Sequence, residues 1–175
     1  MREFPAAPWA PKLKFGSIVA AAVCVVIAAT SGAAFPRGAV PIGAIAHFLL
    51  VFPPLLVAGA LLFVVRGYEI EGAFLHVRRL LWDTRIPLEG LQRAWHDPAA
   101  MERSIRIFGN GGLFSVTGLF RNRALGNFRA FVTRPDHAVV LRTASRVVVI
   151  SPAEPRAFLD AIAARYPHAD RKSVV

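Results

Sequence analysis

The sequence predicts a membrane-anchored α+β protein: a two-helix N-terminal transmembrane hairpin followed by an antiparallel β-sandwich or barrel with a C-terminal capping helix. Three observations predict it. Residues 42–65, IGAIAHFLLVFPPLLVAGALLFVV, run for 24 positions without Lys, Arg, Asp or Glu, and residues 15–35 do the same for 21. From residue 66 onward, short β-rich runs alternate with turn signals. Near the end, SPAEPRAFLDAI carries the signals that open an amphipathic helix. At about 1.5 Å per residue the longer apolar run covers about 36 Å as a helix, enough to cross a hydrocarbon core of about 30 Å with some tilt.

Composition agrees. The chain has 175 residues, 55% of them hydrophobic, and a mean hydropathy of +0.47, with the apolar excess gathered in those two blocks. The formal charge is +10, and 18 of the 21 basic residues are Arg. Such a balance fits anionic lipid, an acidic partner or nucleic acid, and also the positive charge that membrane proteins collect on the cytoplasmic side. The single Cys24 permits no disulfide within one chain.

In chain order, residues 1–14 read as a cytoplasmic tail. They carry Arg2, Lys12 and Lys14, and Pro5, Pro8 and Pro11 break them too often for independent folding. Trp9 suits the membrane interface. Residues 15–35 form the expected first transmembrane helix. A signal peptide cleaved near Ser31-Gly32-Ala33 is the competing reading, against which stand the length of the run and the second apolar run seven residues later. Gly16, Ala20, Cys24, Ala28 and Gly32 recur every four residues, a ridge of small side chains that lets the second span or another copy approach closely. An Ala-rich helix also produces such a ridge by chance.

Residues 36–41 make a short external link, so the spans are antiparallel neighbours. Within 42–65, Pro53 and Pro54 remove two helical N–H donors and predict a kink. His47, the only titratable residue in the span, lies near its outer end. Arg2, Lys12 and Lys14 before the first span, and Arg66, Arg78 and Arg79 after the second, outnumber Arg37 in the link. Both termini are therefore expected in the cytoplasm.

In the following domain, residues 68–70 and 74–78 flank Glu71-Gly72 as a hairpin. Residues 81–88 make a further strand, and Leu88, Leu91 and Ala94 carry an apolar thread to Trp95. Residues 104–108 lead into Gly109-Asn110-Gly111-Gly112, a turn or bulge that lacks the Lys-Ser/Thr ending of a phosphate loop. Residues 113–120, 128–133, 138–143 and 146–150 complete the strands, all expected to pair antiparallel. Ser151 as N-cap, Pro152 at N1 and Glu154 at N3 spell a capping box. Phe158, Leu159, Ile162, Ala163 and Tyr166 then give one apolar helix face.

YEIEG, RIPLEGL, GNGG with LFSVTGLF, and VVVISPAEPRAFLDAI, in that order, resemble the bacterial PH (pleckstrin-homology-like) domain family over residues 67–166, leaving 167–175 as a tail. The resemblance implies about seven strands closed by one helix, a non-catalytic binding role, and a place beside transmembrane helices in the bacterial cytoplasmic membrane. Many PH domains bind phosphoinositides through basic residues at the first hairpin. Here that turn, Glu71-Gly72 beside Glu69, is acidic. The basic residues gather instead at Arg121, Arg123 and Arg129, and at Arg78 and Arg79, the candidate contacts for anionic headgroups or a partner. A solvated arginine face is the competing reading.

Little points to catalysis. His47, His76, His96, His137 and His168 are scattered without ligand spacing, and no nucleophile motif is present. Asp83, Glu89, Asp97 and Glu102 read as turn residues rather than an acid/base pair. No catalytic residue, metal or cofactor is expected. Nor is nucleic acid, for want of a basic-aromatic stripe. The expected function is a membrane-anchored binding or scaffold module whose partners are the bilayer, anionic headgroups, and another membrane protein or a second copy. The alternative is an accessory subunit of a membrane transport or envelope complex.

Overall fold

The β-branched runs after residue 66 divide between two packed sheets, because several are apolar on alternate positions and others on every position. The computed structural model describes residues 2–34, 40–111 and 114–168. The elements are β1 (Arg2–Pro5), α1 (Pro11–Ala34), α2 (Val40–Leu62), β2 (Gly67–Glu71), β3 (Phe74–Arg78), β4 (Asp83–Pro87), β5 (Leu91–His96), β6 (Ile105–Gly111), β7 (Val116–Asn122), β8 (Gly126–Val132), β9 (Val139–Thr143), β10 (Val147–Ile150) and α3 (Pro155–Arg165). One sheet has the order β1-β2-β3-β4, the other β5-β9-β10-β8-β7-β6.

The sheets meet through Tyr68, Ile70, Leu75, Val77 and Ile86 on one side and Phe131, Val139, Leu141, Val148 and Ile150 on the other, with Phe158 and Ile162 of α3 closing the cluster. Ala130, Val132, Val140 and Val149 point to the opposite face, where Phe120, Phe128, Leu125 and Ala100 bury them. Burial on both faces is why VVL and VVVI read as unbroken apolar runs. The β2–β3 turn has Gly72 at φ +55°, the left-handed backbone expected of it.

Several expectations are corrected. Residues 1–14 are not merely a tail: β1 pairs antiparallel with β2, from Arg2 opposite Ile70 to Pro5 opposite Gly67. The three prolines do not prevent this, because the strand borrows a sheet already formed by β2 and β3. Pairing is not antiparallel throughout: β8 and β10 run parallel, since the β9–β10 hairpin folds back between β8 and β5. Gly109 and Gly111 lie within β6 rather than in a turn, and a bulge falls between Arg106 and Phe108. Gly109 and Gly118 face each other so closely that a Cβ on either would come within 2.3 or 2.1 Å of a backbone oxygen. The sequence thus needs glycine there for strand contact.

The capping box does not form. Glu154 is the N-cap of α3 and Pro155 begins it. Ser151 is completely buried instead, its Oγ accepting from the backbone N–H of Thr133 at 2.8 Å. Pro152 bridges to Ala6. The second proline, Pro155, sets the helix start, and burial takes the serine hydroxyl out of reach of the first turn.

The expected pair of spans is present as a pair of packed helices. Among the described residues, no helix is long and apolar enough to cross a membrane. The side chains of residue 28 and of residues 31–47 lie outside the described set, as does the fold of residues 35–39, which includes most of the expected link. The expectations for Ala28, Gly32, Arg37 and His47 therefore fall outside it. α2 stays helical across Pro53 and Pro54. Of the small-residue ridge, Ala20 and Cys24 are half-buried, whereas a Cβ on Gly16 would meet nothing within 4 Å.

Candidate functional site

Three groups of side chains meet where the helical hairpin joins the sheets. The first holds α2. The chain leaves it at Leu62 and enters β2 at Gly67, so the last carbonyls of the helix need partners close by. Phe63 O accepts from Arg79 NH1 at 3.3 Å and from Ser115 Oγ at 3.1 Å. The Arg79 guanidinium also lies 5.3 to 5.8 Å from the ring centroids of Phe63, Trp82 and Phe131. A cation at a helix C-terminus is favourable, and the rings shield it. Burial, together with the charge of Arg129, lowers the Arg79 pKa. Loop contacts extend this base to α1: Phe114 N donates to Ser17 Oγ at 2.9 Å, and Trp9 lies 5.6 Å from the Phe114 ring.

The second group is a buried hydroxyl seam that ties in the N-terminal segment. Tyr68 OH donates to Phe131 O at 2.6 Å and accepts from Ser151 N at 3.0 Å. Thr133 Oγ1 donates to Ala7 O at 2.7 Å, and Ala7 N donates to Ser151 O at 2.9 Å. Burial pushes the Tyr68 phenol up to about 12. Phe4 adds an edge-on contact to Phe158, with centroids 5.0 Å apart. At the surface, Arg78 pairs with Glu3 of β1 and approaches Glu69 at 3.9 Å.

The third group is the arginine edge. Across β8, β7 and β6 the register sets Arg129 opposite Leu119 opposite Phe108, and Asn127 opposite Arg121 opposite Ile105. Paired residues share a face, so Arg121 and Arg129 project together beside Ile105 and Phe108. Arg123 lies in the exposed β7–β8 turn. Among the described residues no carboxylate pairs with Arg121, Arg123 or Arg129.

The five arginines singled out by sequence thus divide. Arg121 and Arg129 share a face, Arg123 lies in the adjoining turn, and among the described residues none of the three has a carboxylate partner. Arg78 is taken by Glu3 and Arg79 by the end of α2, so neither is an open anion contact, because the N-terminal strand and the helix terminus occupy them first. A cleft of ≈ 330 Å³ beside Arg66, Arg78 and Arg79 already receives the Glu3 carboxylate. Sequence reasoning missed Ile105, Ile107 and Phe108, which are exposed on β6. Their only signal was a β-rich run of the kind that elsewhere in this chain is buried. Among the described residues no group of His, Cys, Asp and Glu could hold a metal ion.

Comparison with known proteins gives one match. Residues 66–166 match the model of a family described as bacterial PH domain, close to the 67–166 expected from the motifs. No curated protein and no solved structure matches the chain.

Proposed function

This chain belongs to the bacterial PH domain family, and we propose from that premise that it is a non-catalytic binding module tethered to the cytoplasmic face of the bacterial inner membrane by α1 and α2. The family fold is generally a binding scaffold. The tether is supported by uncharged runs of 21 and 24 residues and by the exposure of Phe15, Ile18, Val25, Leu55 and Leu56 on the helices, side chains that lipid would cover.

The observation that carries the reading is the register of β1 with β2. One strand precedes α1 and the other follows α2, yet they are hydrogen-bonded neighbours. The hairpin therefore leaves and returns on the same side of the domain, which supports an even number of passes. Removal of the first apolar segment as a signal peptide would also strip β1 from the sheet. The positive charge flanking both helices supports a cytoplasmic placement of that side. The domain, joined without a linker, then presents Arg121, Arg123 and Arg129 to anionic headgroups or an acidic partner.

Cysteine labelling tests the tether. In a Cys24→Ser background, Glu3→Cys and His168→Cys should both react with an impermeant maleimide only from the cytoplasmic side. Labelling from opposite sides, or a mature chain lacking Glu3, would overturn it. For the lipid contact, a fluorophore at Arg123→Cys in nanodiscs should be quenched by headgroup-borne quencher more strongly when the lipid is anionic. Quenching independent of lipid charge removes the lipid version.

A second reading, an accessory subunit of a transport or envelope complex, draws on Gly16 and Gly59, whose Cβ positions are open to another helix. Purification in mild detergent should then retain a stoichiometric partner that Gly16→Leu displaces.

A further inference from the structure

The two sheets end in four edge strands, and three are closed to further pairing. β1 has four residues and ends in Pro5, and β4 has five and ends in Pro87. β5, which is bulged as β6 also is, packs against α3. Short strands, prolines, bulges and covering helices are the usual ways a sheet blunts its edges. β6 differs. It has seven residues and no proline, and Ile105, Ile107 and Phe108 are 73%, 53% and 79% exposed. Its bulge falls between Arg106 and Phe108, leaving Ile105 and Phe108 on the face that carries Arg121 and Arg129, with Arg106 on the other.

The charge around this edge is of one sign. Arg106, Arg121, Arg123 and Arg129 have no carboxylate partner among the described residues. Arg129 also raises the positive field at Arg79. A strand added beside β6 would lie about 5 Å from it, close enough for an acidic side chain to meet Arg106, while Arg121 on β7 and Arg129 on β8 act from about 10 and 15 Å through their charge. We propose that β6 accepts an extended acidic segment of a partner protein as a seventh strand of the second sheet. Main-chain hydrogen bonds attach it, Ile105 and Phe108 cover its apolar positions on one face, and Arg106 takes its carboxylates on the other, within the positive field of Arg121 and Arg129. A second copy fits poorly: antiparallel pairing of β6 with itself brings together two edges of the same positive sign, Arg106 among them. This inference deepens the reading of the arginine edge as a binding surface and rests on it.

The test uses the full chain in nanodiscs of zwitterionic lipid, which contribute no net charge. Three synthetic peptides of about ten residues serve as probes: one alternating Glu with Val or Thr, one with Lys replacing Glu, and the Glu peptide with alternate amides N-methylated. Fluorescence anisotropy should show the Glu peptide binding about tenfold or more tighter than either control, a difference of about 1.4 kcal/mol. Phe108→Glu and Arg106→Ala should each weaken it by about as much. Equal binding of the Lys or N-methylated peptide, or no binding at all, overturns the proposal. So does self-association through β6 that Phe108→Glu abolishes. Headgroup quenching at Arg123 without peptide binding would sink this inference while leaving the lipid reading intact. Peptide binding without quenching would do the reverse.

Discussion

The hydroxyl seam and the β6 edge are both places where the sheets meet something beyond themselves, and they are finished in opposite ways. At the seam, an N-terminal segment with three prolines is sewn to β2, β8 and β10 by Tyr68, Thr133 and Ser151, each completely or almost completely buried and each hydrogen-bonded. At β6, apolar side chains are exposed, and among the described residues the surrounding arginines have no carboxylate partner. The difference teaches where this fold is closed and where it is open. The seam fastens both ends of the helical hairpin to one domain, and the edge remains available.

Substitutions can break or sharpen that contrast, as read by chemical denaturation. The largest loss is expected at the closed end: Phe158→Ala removes a fully buried ring that packs on Phe4 and should cost about 3–5 kcal/mol. Tyr68→Phe leaves Ser151 N–H without its acceptor and should cost about 1–3 kcal/mol. The same phenol sets a pH dependence. In the folded chain it holds its proton to about 12, while in the unfolded chain it ionises near the ordinary phenol value of 10.0. The associated stability is complete below pH 10 and is lost as pH rises through 12, a fall of about 2–3 kcal/mol. Tyr68→Phe should flatten that fall, and an unchanged slope would show that the phenol is not sequestered.

Smaller effects should follow toward the surface. Glu3→Ala breaks an exposed pair with Arg78 and should cost less than about 1 kcal/mol. At the open edge, Phe108→Ser should change stability by no more than about 0.5 kcal/mol. A large loss there would mean that Phe108 packs in the folded chain, and the contrast between the two regions would fail.

Much of this contrast could not be read in one dimension. The strand and turn signals placed most of β2 to β10 to within a few residues, and Arg121, Arg123 and Arg129 all fall on one β7–β8 hairpin because they are local to it in sequence. Ser151 was misread because a serine before Pro-Ala-Glu has a strong local partner in the helix, whereas its actual partners, Thr133 and Tyr68, lie 18 and 83 residues away. Arg78 and Arg79 were misread for the same reason: Glu3 is 75 residues distant from one, and Phe63 is 16 from the other.

The sequence by itself determined the element types, the uncharged runs, the closing helix and the family, since all of these follow from periodicity, composition and local motif. Packing alone makes the first residues a strand of the sheet, sets β8 parallel to β10, and gives Arg78 and Arg79 their partners. Those outcomes depend on which distant groups satisfy a buried hydrogen bond or charge first. That competition is settled only when the sheets close over it.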